Sequence, residues 1–135
     1  MQTKQEFGLE LDILEADKLS YRLHKIRHQG PTLADFEDLQ SKADKLIETL
    51  TYLDQPLRMV EQDATGAMIL LRSETPHLVD NNPEYYELKL HQDGLSELDY
   101  RSYQRDETEI INKDMVLSQR QLERLGKDLQ HLSLA

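Results

Sequence analysis

Residues 85–103, YYELKLHQDGLSELDYRSY, carry four of the six tyrosines, in two groups around Asp93-Gly94. Tyrosines interleaved with Glu87, Lys89, His91, Asp99 and Arg101 suit recognition chemistry, because Tyr and Arg are enriched at interaction hot spots. A β-strand accounts for the same residues without any partner, since an amphipathic ring fits a half-exposed sheet.

The remaining constellations are weaker. His24 and His28 stand four apart, a spacing that holds a metal on a helix, but no carboxylate lies between them as in zinc proteases. They read as surface histidines. Asp80, Asn81, Asn82 and Glu84 offer oxygen ligands without the alternating spacing and glycine of a calcium loop, so this stretch reads as a turn. Glu107 and Glu109 could be imagined as a catalytic pair, yet 26 acids produce such pairs without meaning. No nucleophile elbow or glycine-rich phosphate loop appears. No catalytic residue, metal ligand or cofactor is expected.

Composition narrows the classes further. The net charge of −10 and the lack of a Lys/Arg cluster disfavour nucleic acid and anionic membranes as partners. The chain has no cysteine, which removes disulfides, thiolate metal sites and cysteine nucleophiles together. The first residues alternate apolar and charged types, unlike a signal peptide, and no run reaches the ~20 apolar residues of a membrane span. A cytoplasmic location is expected.

The residues of interest need elements to position them. In residues 7–26, Phe7, Leu9, Leu11, Ile13, Leu19, Tyr21 and Leu23 fall on odd positions, a period of two that predicts a β-hairpin turning near Ala16 and Asp17. The Leu, Glu, Lys and Ala content favours instead a helix over 9–28, which would give an αα-hairpin, a β-meander and a C-terminal helix.

Residues 32–53 read as a long helix: Thr32 is the expected N-cap, and Phe36, Leu39, Ala43, Leu46, Leu50 and Leu53 form one stripe. Asp38 and Lys42 are spaced for an outer-face ion pair. The helix should stop at Asp54 and Pro56. Residues 57–72 read as a hairpin in which Asp63 opens the turn and Gly66 takes positive φ. Residues 73–84 read as a long loop, and 109–117 as a last strand. Residues 118–132 read as a helix, with a capping box from Ser118 and Gln121 and a stripe of Leu122, Leu125, Leu129 and Leu132.

Residues 85–104 form the remaining hairpin. A two-residue Asp93-Gly94 loop would set Leu88 and Leu90 against acids. A three-residue Gln92-Asp93-Gly94 loop, with Gly94 left-handed, pairs Leu88 with Leu98, Tyr86 with Tyr100 and Lys89 with Glu97. A register two residues further matches charges better and has poorer turn chemistry, so the glycine bulge is favoured. In both, Tyr86 and Tyr100 face the core, while Tyr85 and Tyr103 face outward with Lys89 and Arg101.

These elements predict one α+β domain over 1–135: an antiparallel sheet of five to seven strands, with the long helix and the C-terminal helix packed on one face. The expected function is non-catalytic protein binding, as an adaptor or assembly factor, with a second copy of the chain as one candidate partner. The expected surface is the open sheet face bearing Tyr85, Lys89, Arg101 and Tyr103. The alternative is a small-molecule binder or enzyme with a pocket between the sheet and the long helix.

Overall fold

The computed structural model describes residues 1–134, with side chains through residue 131. It is an α+β structure, mostly antiparallel sheet, with two helices. The strands are β1 (Gln2–Glu6), β2 (Leu9–Ala16), β3 (Ser20–Gln29), β4 (Leu57–Asp63), β5 (Met68–Ser73), β6 (His77–Val79), β7 (Asn82–His91), β8 (Leu95–Gln104), β9 (Glu109–Lys113) and β10 (Met115–Ser118). Helix α1 (Phe36–Thr49) follows β3, and α2 (Gln119–Leu134) follows β10. No helix among the described residues is long and apolar enough to cross a membrane.

The main sheet runs β1-β2-β3-β8-β7-β5-β4. Helix α1 touches β4, β5 and β7, α2 touches β3 and β10, and the helices touch each other. Between them and the sheet lies a leucine-rich core that includes Leu9, Leu11, Leu39, Leu46, Leu71, Leu88, Leu122 and Leu125. Aliphatic residues carry it, with Tyr86 buried among them and Tyr21, Tyr52 and Tyr100 packed against it, as a chain without tryptophan requires.

Ten strands exceed the expected five to seven. β1 lies ahead of the expected first hairpin and turns into β2 through Phe7 and Gly8, both at positive φ. Part of the expected 73–84 loop is the strand β6, and Asp80 and Asn81 make a two-residue turn at positive φ into β7. Asp and Asn tolerate that conformation better than other non-glycine residues. The expected strand over 109–117 is two strands on different neighbours. β9 pairs with β8, and β10 pairs with β3.

The break at Asp114 has a topological cause. β3 pairs with β8 only over Ile26–Gln29 and Leu95–Leu98. Beyond that the two strands part, and β9 and β10 fill the opening.

Leu9–Ala16 and Ser20–Gln29 are strands, which removes the helical alternative over 9–28. The β2–β3 turn is centred on Asp17, whose carboxylate accepts from the Leu19 and Ser20 amides. The odd-position pattern is broken by a bulge. Asp12 pairs with Lys25 and Ile13 with Leu23, so His24 is the extra residue. After it the inward positions switch parity, and Ile26 and His28 face the core. Leu19, an odd residue, is exposed.

Helix α1 starts later than expected. Asp35 is the N-cap and accepts from Asp38 N at 2.8 Å. Thr32 bonds instead to Asp93 O, and Leu33 N to Gln92 O, tying this segment to the β7–β8 turn. The helix closes at Leu50, while Leu53 remains buried in the connection. Asp38 and Lys42 do not pair on the outer face, because Lys42 is buried. In the β4–β5 turn it is Ala67, not Gly66, that takes positive φ.

Helix α2 has the reciprocal cap: Gln121 N donates to Ser118 Oγ at 3.1 Å and Ser118 N to Gln121 Oε1 at 2.8 Å. The side chain of Leu132 lies outside the described residues. Gly126 lies against the β1–β2 turn, where a Cβ would stand 1.9 Å from Phe7 O. Only glycine lets α2 approach that close.

Candidate functional site

The β7–β8 register is the glycine-bulged one: Tyr86–Tyr100, Leu88–Leu98, Lys89–Glu97 and Glu87–Asp99 are partners, and Gly94 has φ +99°. Tyr86 and Tyr100 therefore lie on the helix side, with ring centroids 4.8 Å apart. Tyr85, Lys89, Arg101 and Tyr103 alternate with them and share the open face.

That face carries a lattice of ion pairs. Arg27 reaches Glu10 and Asp12, and Lys25 reaches Glu97 and Asp99. Arg101 reaches Glu87 and Asp99, and Arg72 reaches Glu87. His91 Nε2 lies 3.1 Å from Glu97. Five acids (Glu10, Asp12, Glu87, Glu97, Asp99) face five bases (Lys25, Arg27, Arg72, Lys89, Arg101), so this central block is neutral and the net charge of −10 lies elsewhere. The long basic side chains lie over the short acids, which is why Asp12, Glu87 and Asp99 are buried on an uncovered face.

Burial alone would raise the Asp12 carboxyl, but hydrogen bonds from Arg27 and Thr3 outweigh it and hold the group below its usual range. Glu97 is treated alike: burial pushes it up, and bonds from Lys25 and His91 bring it lower.

Tyr85 is not the exposed aromatic its outward parity suggests. It is only 6% exposed, because Arg72 stacks 5.2 Å from its ring centroid. Tyr103 has a different setting. It pairs with Ile110 on β9, and Pro83 pairs with Leu78 on β6. Pro83 and Tyr103 lie one step beyond the Glu84–Ser102 pair.

Four side chains from four strands thus form one row, Leu78, Pro83, Tyr103 and Ile110, at the end of the open face beside Arg101. Leu78 is 64% exposed and Ile110 51%. An exposed row of aliphatic and aromatic groups next to an otherwise ion-paired surface is the feature that packing does not explain. Leu78 went unnoticed in the sequence because it stands in a stretch that reads as loop, and Ile110, placed in the expected last strand, showed nothing of the neighbour it would take.

On the opposite side, His28, Lys42 and Ser96 form a buried polar cluster. Lys42 is 3% exposed, and its Nζ donates to Ser96 Oγ at 3.2 Å. His28 pairs with Ser96 across the strands, and its Nδ1 has no partner. Burial pushes the Lys42 ammonium down, and burial and then Lys42 push His28 down. No salt bridge reaches Lys42 among the described residues, so its charge is a liability in the core.

Lys42→Met is expected to raise stability by about 1 kcal/mol at pH 7, net of the lost bond to Ser96. The sign follows from the lowered folded pKa: the unfolded chain binds the proton more tightly, so wild-type stability falls as pH drops below 10.5. Melting curves should show the gain at pH 7 shrinking toward pH 10. A gain that does not change over this range would contradict the buried ammonium.

Among the described residues, no group of three or more His, Asp or Glu side chains could hold a metal ion. A cleft of about 390 Å³ opens on the helix side, where β3 and β8 part. It is lined by Asp54, Tyr86, Tyr100, Asp114, Met115, Val116, Leu117 and Gln121. His77 and His91 do not line it. No family model, no curated protein and no solved structure matches this chain.

Proposed function

We propose that this protein is a non-catalytic binding module, and that it docks an apolar segment of another protein across the row Leu78, Pro83, Tyr103 and Ile110. The observation that carries this reading is a row of four aligned side chains on an uncovered sheet end, with Leu78 and Ile110 exposed and Pro83 and Tyr103 half-buried between them. Arg101, held by Glu87 and Asp99, lies beside the row, and Lys89 stands opposite Glu97 further along the same face.

A second copy of the chain laid flat on the whole face is disfavoured. It would have to desolvate the ion-pair lattice, at a cost of several kcal/mol per ion. A short segment confined to the row avoids that cost. Solvent exposure of the row also means that changing it should leave the fold intact, since such substitutions usually fall within about 0.5 kcal/mol.

The test is selection of a displayed random peptide library on the wild-type protein. Enriched peptides should carry aliphatic or aromatic anchors and bind at least about tenfold more weakly to the Leu78→Asp/Ile110→Asp double variant, as loss of two buried anchors implies. The melting midpoint of that variant should stay near the wild-type value. Peptides that bind both proteins equally would place the docking surface elsewhere.

A further inference from the structure

The cleft at the parting of β3 and β8 lies on the helix side of the sheet, away from the apolar row. Its walls have a consistent chemistry. Tyr86 and Tyr100 present two rings tilted by 58°, and aromatic faces attract cations. Met115 and Leu117 supply apolar surface. Gln55 is 1% exposed; its Nε2 donates to the Tyr100 hydroxyl at 3.4 Å, while Oε1 on the same amide has no partner.

Two carboxylates line the cleft, Asp54 and Asp114, and Glu84 lies against Tyr100. Asp114 pairs with Arg22, and Glu84 lies 3.8 Å from Lys113 Nζ. Asp54 lines the cleft with no cation paired to it among the described residues. Gln121 is committed to Ser118 and to the Tyr52 carbonyl. Burial, and then the charge of Glu84 with a smaller push from Asp54, move the Tyr100 hydroxyl up; burial and Asp54 do the same for Tyr86. Both rings are therefore neutral phenols.

We propose that this cleft binds a primary alkylammonium group, seated against the faces of Tyr86 and Tyr100 and held by the Asp54 carboxylate. An ammonium brings three donors and no acceptor, which suits the Asp54 carboxylate, the one lining acid with no paired cation among the described residues. Its alkyl stem would lie along Met115 and Leu117. A cleft of about 390 Å³ is within the usual range for small-ligand sites. Two sources carry this group, a free polyamine and a lysine side chain, and the chemistry is common to both.

The experiment is amide NMR on the full chain, titrated separately with spermidine and with Nα-acetyl-lysine methylamide, and with 1-butanol as the uncharged comparison. Saturable shifts are expected at Tyr86, Tyr100, Met115 and Leu117 with the amines and none with the alcohol. Asp54→Asn should weaken amine binding at least about tenfold, the loss of one charge-assisted bond. Asp54 is exposed, so this variant should melt with the wild type. A response to spermidine alone identifies a free polyamine, and a response to the blocked lysine identifies a protein side chain. Shifts scattered over the acidic surface without saturation, or binding unchanged in Asp54→Asn, would overturn the proposal. So would equal binding of 1-butanol.

Discussion

Gly94→Ala should lower the stability of this protein by about 3 kcal/mol, from a left-handed backbone that costs a non-glycine residue about 1–2 kcal/mol and overpacking worth about 1–3 kcal/mol more. Gly94 has φ +99°, and a Cβ there would stand 2.2 Å from Gly30 O and 2.6 Å from Pro31 O. Both obstacles are backbone, which cannot rotate away. The turn is also bonded to the segment it would strike. Gly30 N donates to Gly94 O at 2.9 Å, Leu33 N to Gln92 O at 2.8 Å, and Gln29 Nε2 to Asp93 O at 3.1 Å. The strain would therefore reach the crossover that leads from β3 into α1. Thermal melts should show a loss of about 10 °C for a chain of this size. An unchanged midpoint would mean that the β7–β8 turn is not seated on residues 30–31.

Arg27→Met is the second large effect, expected at about 2 kcal/mol at pH 7. Removing one partner of a buried ion pair costs about 3–5 kcal/mol, and the partial exposure of Arg27 reduces that. Arg27 holds Asp12 through two bonds of 3.2 and 3.0 Å. Without it the buried carboxylate keeps only the Thr3 hydroxyl at 2.9 Å.

The pH dependence has a definite sign. In the wild type the Asp12 pKa is lowered below 3.8, so its contribution is present above that pH and lost as pH falls through the folded value. In the variant, burial dominates and raises the group, so protonation removes the penalty. Urea denaturation should show the gap between the two proteins narrowing as pH falls through the raised value of the variant, and further as it drops below 3.8. A gap independent of pH would show that Arg27 acts through packing alone.

Local rules reach some way into this protein. Parity placed Tyr86 and Tyr100 on one face and Tyr103 on the other, because side chains alternate along any strand. Glycine chemistry selected the β7–β8 register. Ser118 and Gln121 announced a helix start through contacts only three residues apart. The leucine stripe of α1 marked a buried face by its period.

Where local rules failed, a distant contact had the deciding role. The His24 bulge shifts the inward phase of β3, and only pairing with β2 and β8 settles where that extra residue sits. His28 consequently enters the core. Lys42 stood where an outer-face pair with Asp38 looked natural, but α1 rotates to bury its leucines and carries the lysine inward with them.

The sequence by itself determined the composition of the core, the alternation of the strands, the turn at Gly94 and the cap of α2, since each depends on residues a few positions apart. The tertiary structure alone decided that Leu78, Pro83, Tyr103 and Ile110 stand in one row, and that Asp54, Tyr86, Tyr100 and Met115 line one cleft. Both sites are assembled across strands whose partners lie far along the chain. Their neighbours are set by long-range register and by the parting of β3 from β8, which no local period encodes.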